Sequence, residues 1–445
     1  MKTKITLILL VLFYTLSLNS QTGFYFKGAN KNKQQVSFKL VNNLIVIPLE
    51  INGKKLSFIL DTGVNKTILF NLTKNDSIGL LNTKKVALRG LGKGEAVDAL
   101  LSKKNTFKIK NIVSNNENIY VILNDYFDLS SKMGMTIHGI IGYSLLKNCI
   151  VKVNYKAKKL VFYNPKTFKY KNCKKCETIP FKFYRKKPFI DAKVSIDTLG
   201  KKLTDVKLLV DSGGSDAIWL FENSKEVIKT PKRFFNDILG EGLSGPIYGN
   251  RSRVPKFKLG RFEIKNATVS FLDSTSTRYA RDYKERNGSI GGEILKRFKV
   301  WIDYPNKKFT FKKNGSFTTG FNYNMSGLDI VYNGKQLVKE KNVTNLTDSY
   351  NQSINKKNSL SFVTMFSFNF KPSFKINNVT KNSPADKVGL LKEDVILKIN
   401  RKPVHEFTIG DIVNLLQEKD KKKIKITILR NGVKMKFEFR LHKSV

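Results

Sequence analysis

The sequence has few of the side chains that bind metals. Only three cysteines (Cys149, Cys173 and Cys176) and three histidines occur among 445 residues, and no histidine lies near the Cys173 and Cys176 pair. A structural zinc site needs four ligands of these kinds, so we expect neither a metal nor any other cofactor. In an oxidising compartment Cys173 could pair with Cys176, or either of them with Cys149, and any single pairing leaves one thiol free.

Acidic residues are also scarce. Asp and Glu number 35 against 81 Lys and Arg, which gives a formal net charge of +46. Such a charge is common in proteins that bind nucleic acid, but only 13 of the basic residues are arginines, which favour bidentate phosphate recognition, and the lysines are scattered through every segment. We therefore expect no specific nucleic-acid site, and a loose association with an anionic envelope surface. A basic adhesin or nucleic-acid binder stays open as an alternative.

The chain lacks an apolar run that could span a bilayer. The longest run, Ile5 to Leu18, follows the basic residues Lys2 and Lys4 and precedes the small polar stretch Asn19–Gln21. It is shorter than the roughly 20 residues of a membrane-spanning helix, and this order is typical of a signal peptide. We expect residues 1–20 to be removed and the protein to be exported, to the periplasm or the medium. An N-terminal membrane anchor is the alternative.

Two copies of one short pattern organise the rest of the sequence. An apolar strand ends in Asp61-Thr62-Gly63, and another ends in Asp211-Ser212-Gly213 150 positions later. Elements of apolar residues and glycine end at Gly142 and Gly291, 81 and 80 positions after the two aspartates. Glycine-rich segments lie between, offset by 150 or 151 positions: Gly90, Gly92 and Gly94 in the first copy, and Gly240, Gly242 and Gly245 in the second. Ordered matches at near-constant spacing predict a duplicated domain.

Both copies have the pattern of β-strands. Apolar residues alternate from Val36 to Glu50, and the turn Asn52-Gly53 leads into the strand before Asp61, which is typical of a hairpin. The glycine-rich segments lie between strand-like runs. Because no helix-opening lysine and hydroxyl residue follows them, they indicate flexible flaps and not phosphate-binding loops.

One aspartate in each copy suits acid–base chemistry. A pseudo-twofold axis can bring Asp61 and Asp211 together over one cleft, where two close carboxylates share a single proton. One of them can then activate a water molecule while the other, protonated, polarises a scissile carbonyl. The two roles are exchangeable, so the carboxylates titrate as a pair. Thr62 and Ser212 can bond to the opposite loop and hold the pair in place.

These motifs resemble those of retropepsin-like and pepsin-like aspartic proteases, in a single-chain form with two lobes. The resemblance implies a mostly β fold, with two duplicated β-barrel lobes at residues 21–165 and 166–320, and a peptide or protein as substrate. It implies Asp61 and Asp211 as the catalytic dyad and the glycine-rich segments as flaps. Supporting roles are implied for Thr62, Gly63, Ser212, Gly213, Gly142 and Gly291. His138 is interpreted as a polar turn residue.

The resemblance has departures at the positions after the two triplets. Pepsin-like enzymes often carry there a serine whose hydroxyl bonds to the carboxylate, whereas this chain has Val64 and Gly214. The loss of that bond is expected to raise the working pH of the dyad. The sequence therefore predicts activity at mildly acidic to neutral pH.

Residues 321–445 resemble an α+β PDZ domain. The motifs that carry the resemblance are Ser383-Pro384-Ala385, Gly389-Leu390 and the strand Asp394–Asn400, with Glu393 and Arg401 at positions where glycines are usual. PDZ domains add an extended C-terminal peptide as a strand beside a helix, here the one expected from Thr408 to Lys419. The groove residues implied are Gly327, Leu328, Asp329, Ile330, Ile409 and Val413. A polar insertion is expected near 342–359.

The leading hypothesis is thus an exported aspartic endopeptidase whose PDZ domain recruits or regulates substrate. A catalytically inactive, two-lobed envelope protein that binds peptides in the same cleft is the alternative.

Overall fold

The computed structural model describes residues 23–28, 32–72, 78–91, 94–122, 129–197, 200–346 and 361–445. The expected signal peptide and Gly92 of the first flap lie outside these ranges. The described residues fold into two compact units: those within 1–127 and 137–321, with residue 445, belong to the first, and those within 129–136 and 322–444 to the second. Strands make up 52% of the residues and helices 9%, so the predicted mostly β fold class is confirmed. No helix in the described ranges is long and apolar enough to cross a membrane.

The first unit contains two lobes with the same strand order. The strands of the first lobe are β1 (Tyr25–Phe26), β2 (Lys33–Ser37), β3 (Lys39–Val41), β4 (Leu44–Ile51), β5 (Lys54–Leu60), β6 (Thr67–Leu69), β7 (Lys84–Leu88), β8 (Val97–Ile109), β9 (Ile112–Ile122), β10 (Gly139–Ile141), β11 (Ile150–Asn154) and β12 (Lys159–Tyr163). Those of the second are β13 (Cys176–Pro180), β14 (Lys182–Tyr184), β15 (Lys187–Ser195), β16 (Thr204–Val210), β17 (Ile218–Phe221), β18 (Phe235–Gly242), β19 (Gly245–Leu259), β20 (Phe262–Leu272), β21 (Arg286–Ile290), β22 (Phe298–Asp303) and β23 (Lys308–Lys313).

Each lobe closes into a small barrel. In the first lobe the order β9-β6-β10-β5-β4 is completed by β8, which pairs with both β4 and β9. In the second lobe the order β20-β17-β21-β16-β15 is completed by β19 in the same way. The strand order therefore repeats as the spacing of the sequence motifs does.

The turns of the hairpins follow from residues that tolerate positive φ. Asn52 and Gly53 join β4 to β5 with φ of 47° and 86°, as a two-residue hairpin turn requires. Arg185 and Lys186 join β14 to β15 with φ of 48° and 66°. The second pair lacks a glycine, so this hairpin could not have been identified from its turn residues.

A six-stranded sheet joins the two lobes. Its order is β13-β23-β22-β11-β12-β2, and β11 of the first lobe pairs antiparallel with β22 of the second, with Ile150 opposite Asp303 and Asn154 opposite Lys299. These strands are the matching ends of the two sequence copies. One continuous apolar core, from Phe24 to Phe321, runs through both lobes.

Short helices follow the central strands of both lobes. They are α2 (Tyr143–Leu146), α3 (Gly292–Leu295) and a 3-10 helix (Arg278–Asp282). After α3, Arg297 is 1% exposed, and it bonds to Glu293 Oε1 at 2.8 Å and to the carbonyl of Gly320 at 3.1 Å. Its guanidinium also lies 3.5 Å from the ring centroid of Phe321. This buried arginine fixes the last residues of the second lobe.

The cysteines form one disulfide. It joins Cys173 to Cys176 in the segment between the lobes, which was one of the pairings left open. Cys149 is a buried free thiol, and burial raises its pKa to about 12.

The second unit is an antiparallel sheet with three short α-helices. Its strands, in the order β24-β25-β26-β28-β29 with β27 beside β26, are β24 (Leu328–Leu346), β25 (Ser361–Val379), β26 (Val395–Ile399), β27 (Lys402–Pro403), β28 (Lys423–Arg430) and β29 (Val433–Arg440). The helices are α1 (Leu129–Met133), α4 (Pro384–Lys387) and α5 (Ile409–Leu416), with a 3-10 helix at Val404–Glu406. The expected polar insertion is strand from 342 to 346, and residues 347–360 lie outside the described ranges.

Local sequence explains the ends of helix α5. Thr408 caps it: the backbone N–H of Asp411 donates to Thr408 Oγ1 at 3.2 Å, and the Thr408 N–H donates to Asp411 Oδ2 at 2.9 Å. Such a capping box satisfies backbone groups that the first turn leaves free. The helix ends at Leu416, three residues before the expected Lys419. Glu393 and Arg401 both have φ of 72°, which explains why glycines are usual at these two positions.

Candidate active site

The strand order places the two aspartates at equivalent positions. Asp61 follows β5, and its N–H donates to the carbonyl of Ile141 at the end of β10 (2.9 Å). Asp211 follows β16, and its N–H donates to the carbonyl of Ile290 at the end of β21 (2.9 Å). In both lobes the supporting strand is parallel to the strand that carries the aspartate.

The hydroxyls of Thr62 and Ser212 cross between the lobes. Thr62 Oγ1 donates to the carbonyl of Val210 at 2.6 Å and accepts from the N–H of Ser212 at 3.0 Å. In turn Ser212 Oγ donates to the carbonyl of Leu60 at 2.8 Å and accepts from the N–H of Thr62 at 3.0 Å. Thr62 and Ser212 are 1% and 2% exposed. Four reciprocal bonds at a buried site fix one aspartate loop against the other.

Glycines allow the two carboxylates to meet. The N–H of Gly63 donates to Asp61 Oδ1 at 2.6 Å, and the N–H of Gly213 donates to Asp211 Oδ1 at 3.1 Å. A Cβ on Gly213 would lie 2.3 Å from Asp61 Cγ, and a Cβ on Gly63 would lie 2.9 Å from Asp211 Oδ1. Any larger residue at either position would push a carboxylate out of place.

Gly142 and Gly291 support the aspartate loops from below. A Cβ on Gly142 would lie 2.0 Å from the carbonyl oxygen of Asp61, and a Cβ on Gly291 would lie 2.7 Å from that of Gly214. Backbone bonds reinforce the contact: the N–H of Tyr143 donates to Val64 O at 3.2 Å. The side chain of Val64 supplies no hydroxyl for the carboxylate, and neither does Gly214.

The tips of the two flaps meet each other. The first lies between β7 and β8, and the second between β18 and β19. The N–H of Gly94 donates to the carbonyl of Ser244 (2.7 Å), the N–H of Ser244 donates to that of Leu91 (3.0 Å), and the N–H of Gly90 donates to Ser244 Oγ (3.3 Å). A Cβ on Gly242 would lie 2.1 Å from the carbonyl oxygen of Leu91. Gly240 and Gly245 have φ of 157° and 101°, and a Cβ on either would meet no described atom within 4 Å.

The electrostatics of the dyad favour one shared proton. Burial and the neighbouring Asp211 raise the pKa of Asp61 well above its ordinary value, and the two carboxyls hydrogen-bond to each other. The Gly63 N–H and the charge of Lys187 act in the opposite direction. The pair therefore holds a proton to higher pH than a solvated carboxyl does.

Two basic residues of the second lobe face the dyad, and sequence reasoning did not identify them. Lys187, which opens β15, interacts electrostatically with Asp61 and Asp211, and burial lowers its pKa. Arg286, which opens β21, is 5% exposed and lies over the rings of Phe189 and Phe221. Its Nη2 has no hydrogen-bond partner among the described residues. Burial lowers the pKa of Arg286 to about 10, and the charge of Asp211 opposes that shift.

The hairpin turns of each lobe reach the aspartate loop of the other. Asn43 Nδ2 donates to the carbonyl of Ser215 at 2.9 Å, and Asn65 Nδ2 donates to the carbonyl of Arg185 at 3.1 Å. Since Lys187 is two residues from Arg185, this second contact places the lysine beside the dyad.

A buried ion cluster joins the second flap to its aspartate loop. Arg251 of β19 bonds to Asp216 Oδ1 at 3.1 Å and to Asp237 Oδ2 at 2.7 Å. Asp216 Oδ2 also accepts from Trp219 Nε1 at 2.8 Å. The two carboxylates raise the pKa of Arg251, so it is charged at every working pH. The first lobe has Lys66 at the position equivalent to Asp216. Because the two lobes differ here, comparing the two sequence copies could not reveal the cluster.

The expected PDZ groove residues lie in the second unit, on β24, on α5 and, for Gly327, directly before β24. Gly327, with φ of 82°, accepts at its carbonyl from the N–H of Thr380 (2.8 Å). Leu328, Ile330 and Ile409 are 1%, 7% and 3% exposed, whereas Asp329 and Val413 are half-buried.

Comparisons with known proteins agree with this geometry. Residues 47–145 match the family model of aspartyl proteases, and residues 375–430 match the family model of PDZ domains. The first match contains Asp61 and Gly142 but not the second copy. The solved structures that match include an aspartic proteinase from Irpex lacteus, 13% identical with a TM-score of 0.44, over 65% of this chain and 99% of that one. A search of curated proteins finds no match. The expected resemblance to aspartic proteases with a C-terminal PDZ domain is confirmed.

Proposed function

We propose that this chain is an exported aspartic endopeptidase, with a PDZ domain that binds peptides to recruit or regulate its substrates. The observation that carries the proposal is the pair Asp61 and Asp211, held together by the crossed bonds of Thr62 and Ser212 beneath two flaps. The signal-like N-terminus and the disulfide between Cys173 and Cys176 support export.

The surroundings of the pair favour Asp61 as the acid. Burial and the neighbouring Asp211 raise the pKa of Asp61, and Arg286 interacts electrostatically with Asp211. Asp211 accepts a proton from a water molecule as that water attacks the scissile carbonyl carbon. Asp61 donates to the carbonyl oxygen as the tetrahedral intermediate forms. A proton then passes to the amide nitrogen, the C–N bond breaks, and a carboxylic acid and an amine are released.

A cleavage profile of the purified chain from residue 21 tests the proposal. We expect internal bonds of a peptide library to be cleaved at mildly acidic to neutral pH, with inhibition by a statine-containing peptide that mimics the tetrahedral intermediate. A rate maximum below about pH 3 would refute the role of the missing loop hydroxyls at Val64 and Gly214. Peptide binding without cleavage at any pH would instead support the inactive peptide-binding protein.

Lys187 is expected to set the pH range of activity. Its charge lowers the pKa of Asp61, so in Lys187→Met the pair should hold its protons to higher pH. We expect both limbs of the pH profile of kcat/KM to move upward by about one pH unit, as a charge several ångströms away should achieve. Lys182→Met, on exposed β14 of the same hairpin, serves as the control and should leave the profile in place. A downward shift, or an equal shift in both variants, would contradict this role.

A further inference from the structure

The second unit includes a short segment that lies, in sequence, within the first lobe. Residues 129–136 precede β10 of the first lobe, yet they fold with residues 322–444. Helix α1 of this segment packs against β24, which lies at the edge of its sheet and has no strand partner on its outer side among the described residues.

In the same segment, Gly134 lies beside the first residue of helix α5. With φ of 62° it has a conformation that favours glycine. A Cβ at this position would lie 3.0 Å from Ile409 Cγ2 and 3.3 Å from Ile409 Cβ. Met133, the residue before it, is 3% exposed. The segment therefore touches both walls of the expected peptide groove, the strand β24 and the first residue of α5.

The burial of the groove residues agrees with an occupied groove. Leu328, Ile330 and Ile409 are each less than 10% exposed. Apolar walls of an open peptide groove face water, and exposed apolar patches commonly mark the sites where a partner binds. Here Ile409 is covered at the point where Gly134 lies beside it, whereas Asp329 and Val413 of the same groove are half-buried.

We propose that residues 129–136 are an internal ligand of the groove between β24 and α5, which a peptide with an apolar side chain must displace. A competing peptide should resemble Met133 and Gly134: an unbranched apolar side chain followed by a residue without a side chain. In the segment Gly134 lies beside Ile409. A ligand tethered in the same chain competes at a high effective concentration, so the groove binds only peptides that match it well or reach high local concentration.

The position of this segment in the chain connects the groove to the active site. Three residues after Thr136 the chain enters β10, whose Ile141 accepts from the N–H of Asp61. His138, between the two, donates its N–H to Ser57 O at 2.8 Å. Displacement of the segment therefore acts on the strand that supports Asp61. This step rests on the proposed function, whereas occupancy of the groove does not.

A double-cysteine variant tests the occupancy directly. Gly134→Cys with Ile409→Cys places two Cβ atoms 3.3 Å apart, a few tenths of an ångström short of the separation of about 3.5–4.5 Å in disulfides, so a small shift lets them bond. The other cysteines are a buried thiol and an existing disulfide. We expect the two introduced cysteines to form a disulfide in the purified chain from residue 21. The probe is a fluorescent peptide of the sequence of residues 129–136. It should bind the reduced chain weakly and the oxidised chain not at all.

A variant that releases the segment completes the test. Met133→Asp places a charge in the covered position, and we expect the probe to bind at least ten-fold more tightly than to the unmodified chain. Thr136→Asp, at an exposed position of the same segment, is the control and should bind like the unmodified chain. Equal binding by Met133→Asp and Thr136→Asp, or failure of the two cysteines to cross-link, would overturn the proposal. If Met133→Asp does not fold, the cross-linking experiment still tests whether the segment occupies the groove.

Activity gives a separate readout. On a peptide of six residues, Met133→Asp should lower kcat with little change in KM, whereas Lys182→Met should keep the kcat of the unmodified chain. Unchanged kcat in Met133→Asp would overturn the connection to β10. If no variant and no unmodified chain cleaves peptides, the proposed function fails while the binding results stand.

Discussion

Replacing Asp61 by asparagine is expected to abolish peptide hydrolysis and, at neutral pH, to raise the unfolding temperature of the protein. An asparagine cannot share the proton of the pair, so kcat should fall by at least about a thousand-fold. The stability gain follows because burial and Asp211 raise the pKa of Asp61 above its ordinary value of 3.8. The folded chain keeps a proton that the unfolded chain releases, and its stability falls as the pH rises through that window.

The pH dependence of the rise in unfolding temperature tests whether the raised pKa of Asp61 causes it. Below about pH 3 the carboxyl is protonated in both states, so the unfolding temperatures of the variant and the unmodified chain should converge. Asp211→Asn should lose activity to a similar degree, since the pair acts as a unit. The measurements are thermal unfolding at pH 3 and pH 7 and turnover of a peptide. Retained cleavage in either variant, or a lower unfolding temperature of Asp61→Asn at pH 7, would contradict the assignment of the dyad.

Replacing Gly213 by alanine is expected to cost activity with little loss of fold. The added Cβ would lie 2.3 Å from both Asp61 Cγ and Asp61 Oδ2, so the carboxylate must move. Because displacement of a reacting group by about 1 Å can cost a hundred-fold in rate, we expect kcat to fall by about that factor or more. The side chain that moves lies at the cleft and is half-buried, so the core is unaffected.

The next residue offers a matched comparison. A Cβ on Gly214 would have Asp211 Cγ as its nearest neighbour, at 3.7 Å, an ordinary contact. Gly214→Ala should therefore keep kcat within a few-fold of the unmodified chain, although it adds the same methyl group to the same loop. An equal loss of kcat in Gly213→Ala and Gly214→Ala would show that the loop is sensitive to any substitution. The loss in Gly213→Ala would then no longer support the close approach of this glycine to Asp61.

Much of the active site could be predicted because the chain contains it twice. The near-constant offset of Asp61 and Asp211 and of the glycines after them identified the aspartate loops, the flap segments and the strands that precede Gly142 and Gly291. Such features repeat because each lobe needs the same backbone geometry. The crossed bonds of Thr62 and Ser212 followed from the same argument.

The features that differ between the lobes could not be predicted in this way. Lys187 and Arg286 have no basic counterpart in the first lobe, and no local pattern marks a lysine in a chain rich in lysine. Arg251 depends on Asp216 and Asp237, which lie at separations with no regular spacing. Their contacts arise from how the barrel brings β18 and β19 back over the aspartate loop.

The C-terminal part of the chain shows a second limit. Its hairpins and the capped helix α5 follow from local residues such as Thr408 and Asp411. That residues 129–136 fold with this part could not be inferred, since a five-residue helix with one buried methionine has too weak a pattern to show its partner. Contacts between segments so distant in sequence are set by the tertiary structure.

The pairing of β11 with β22 has a consequence for how the activity of the proposed protease should respond to dilution. If the two lobes were separate chains, the dyad would assemble only by their association, and the specific activity would fall at low protein concentration. Here the six-stranded sheet and the Thr62 and Ser212 bonds form within one chain. Each molecule therefore carries both aspartates of the proposed dyad, and we expect its turnover number to be the same at nanomolar as at micromolar protein.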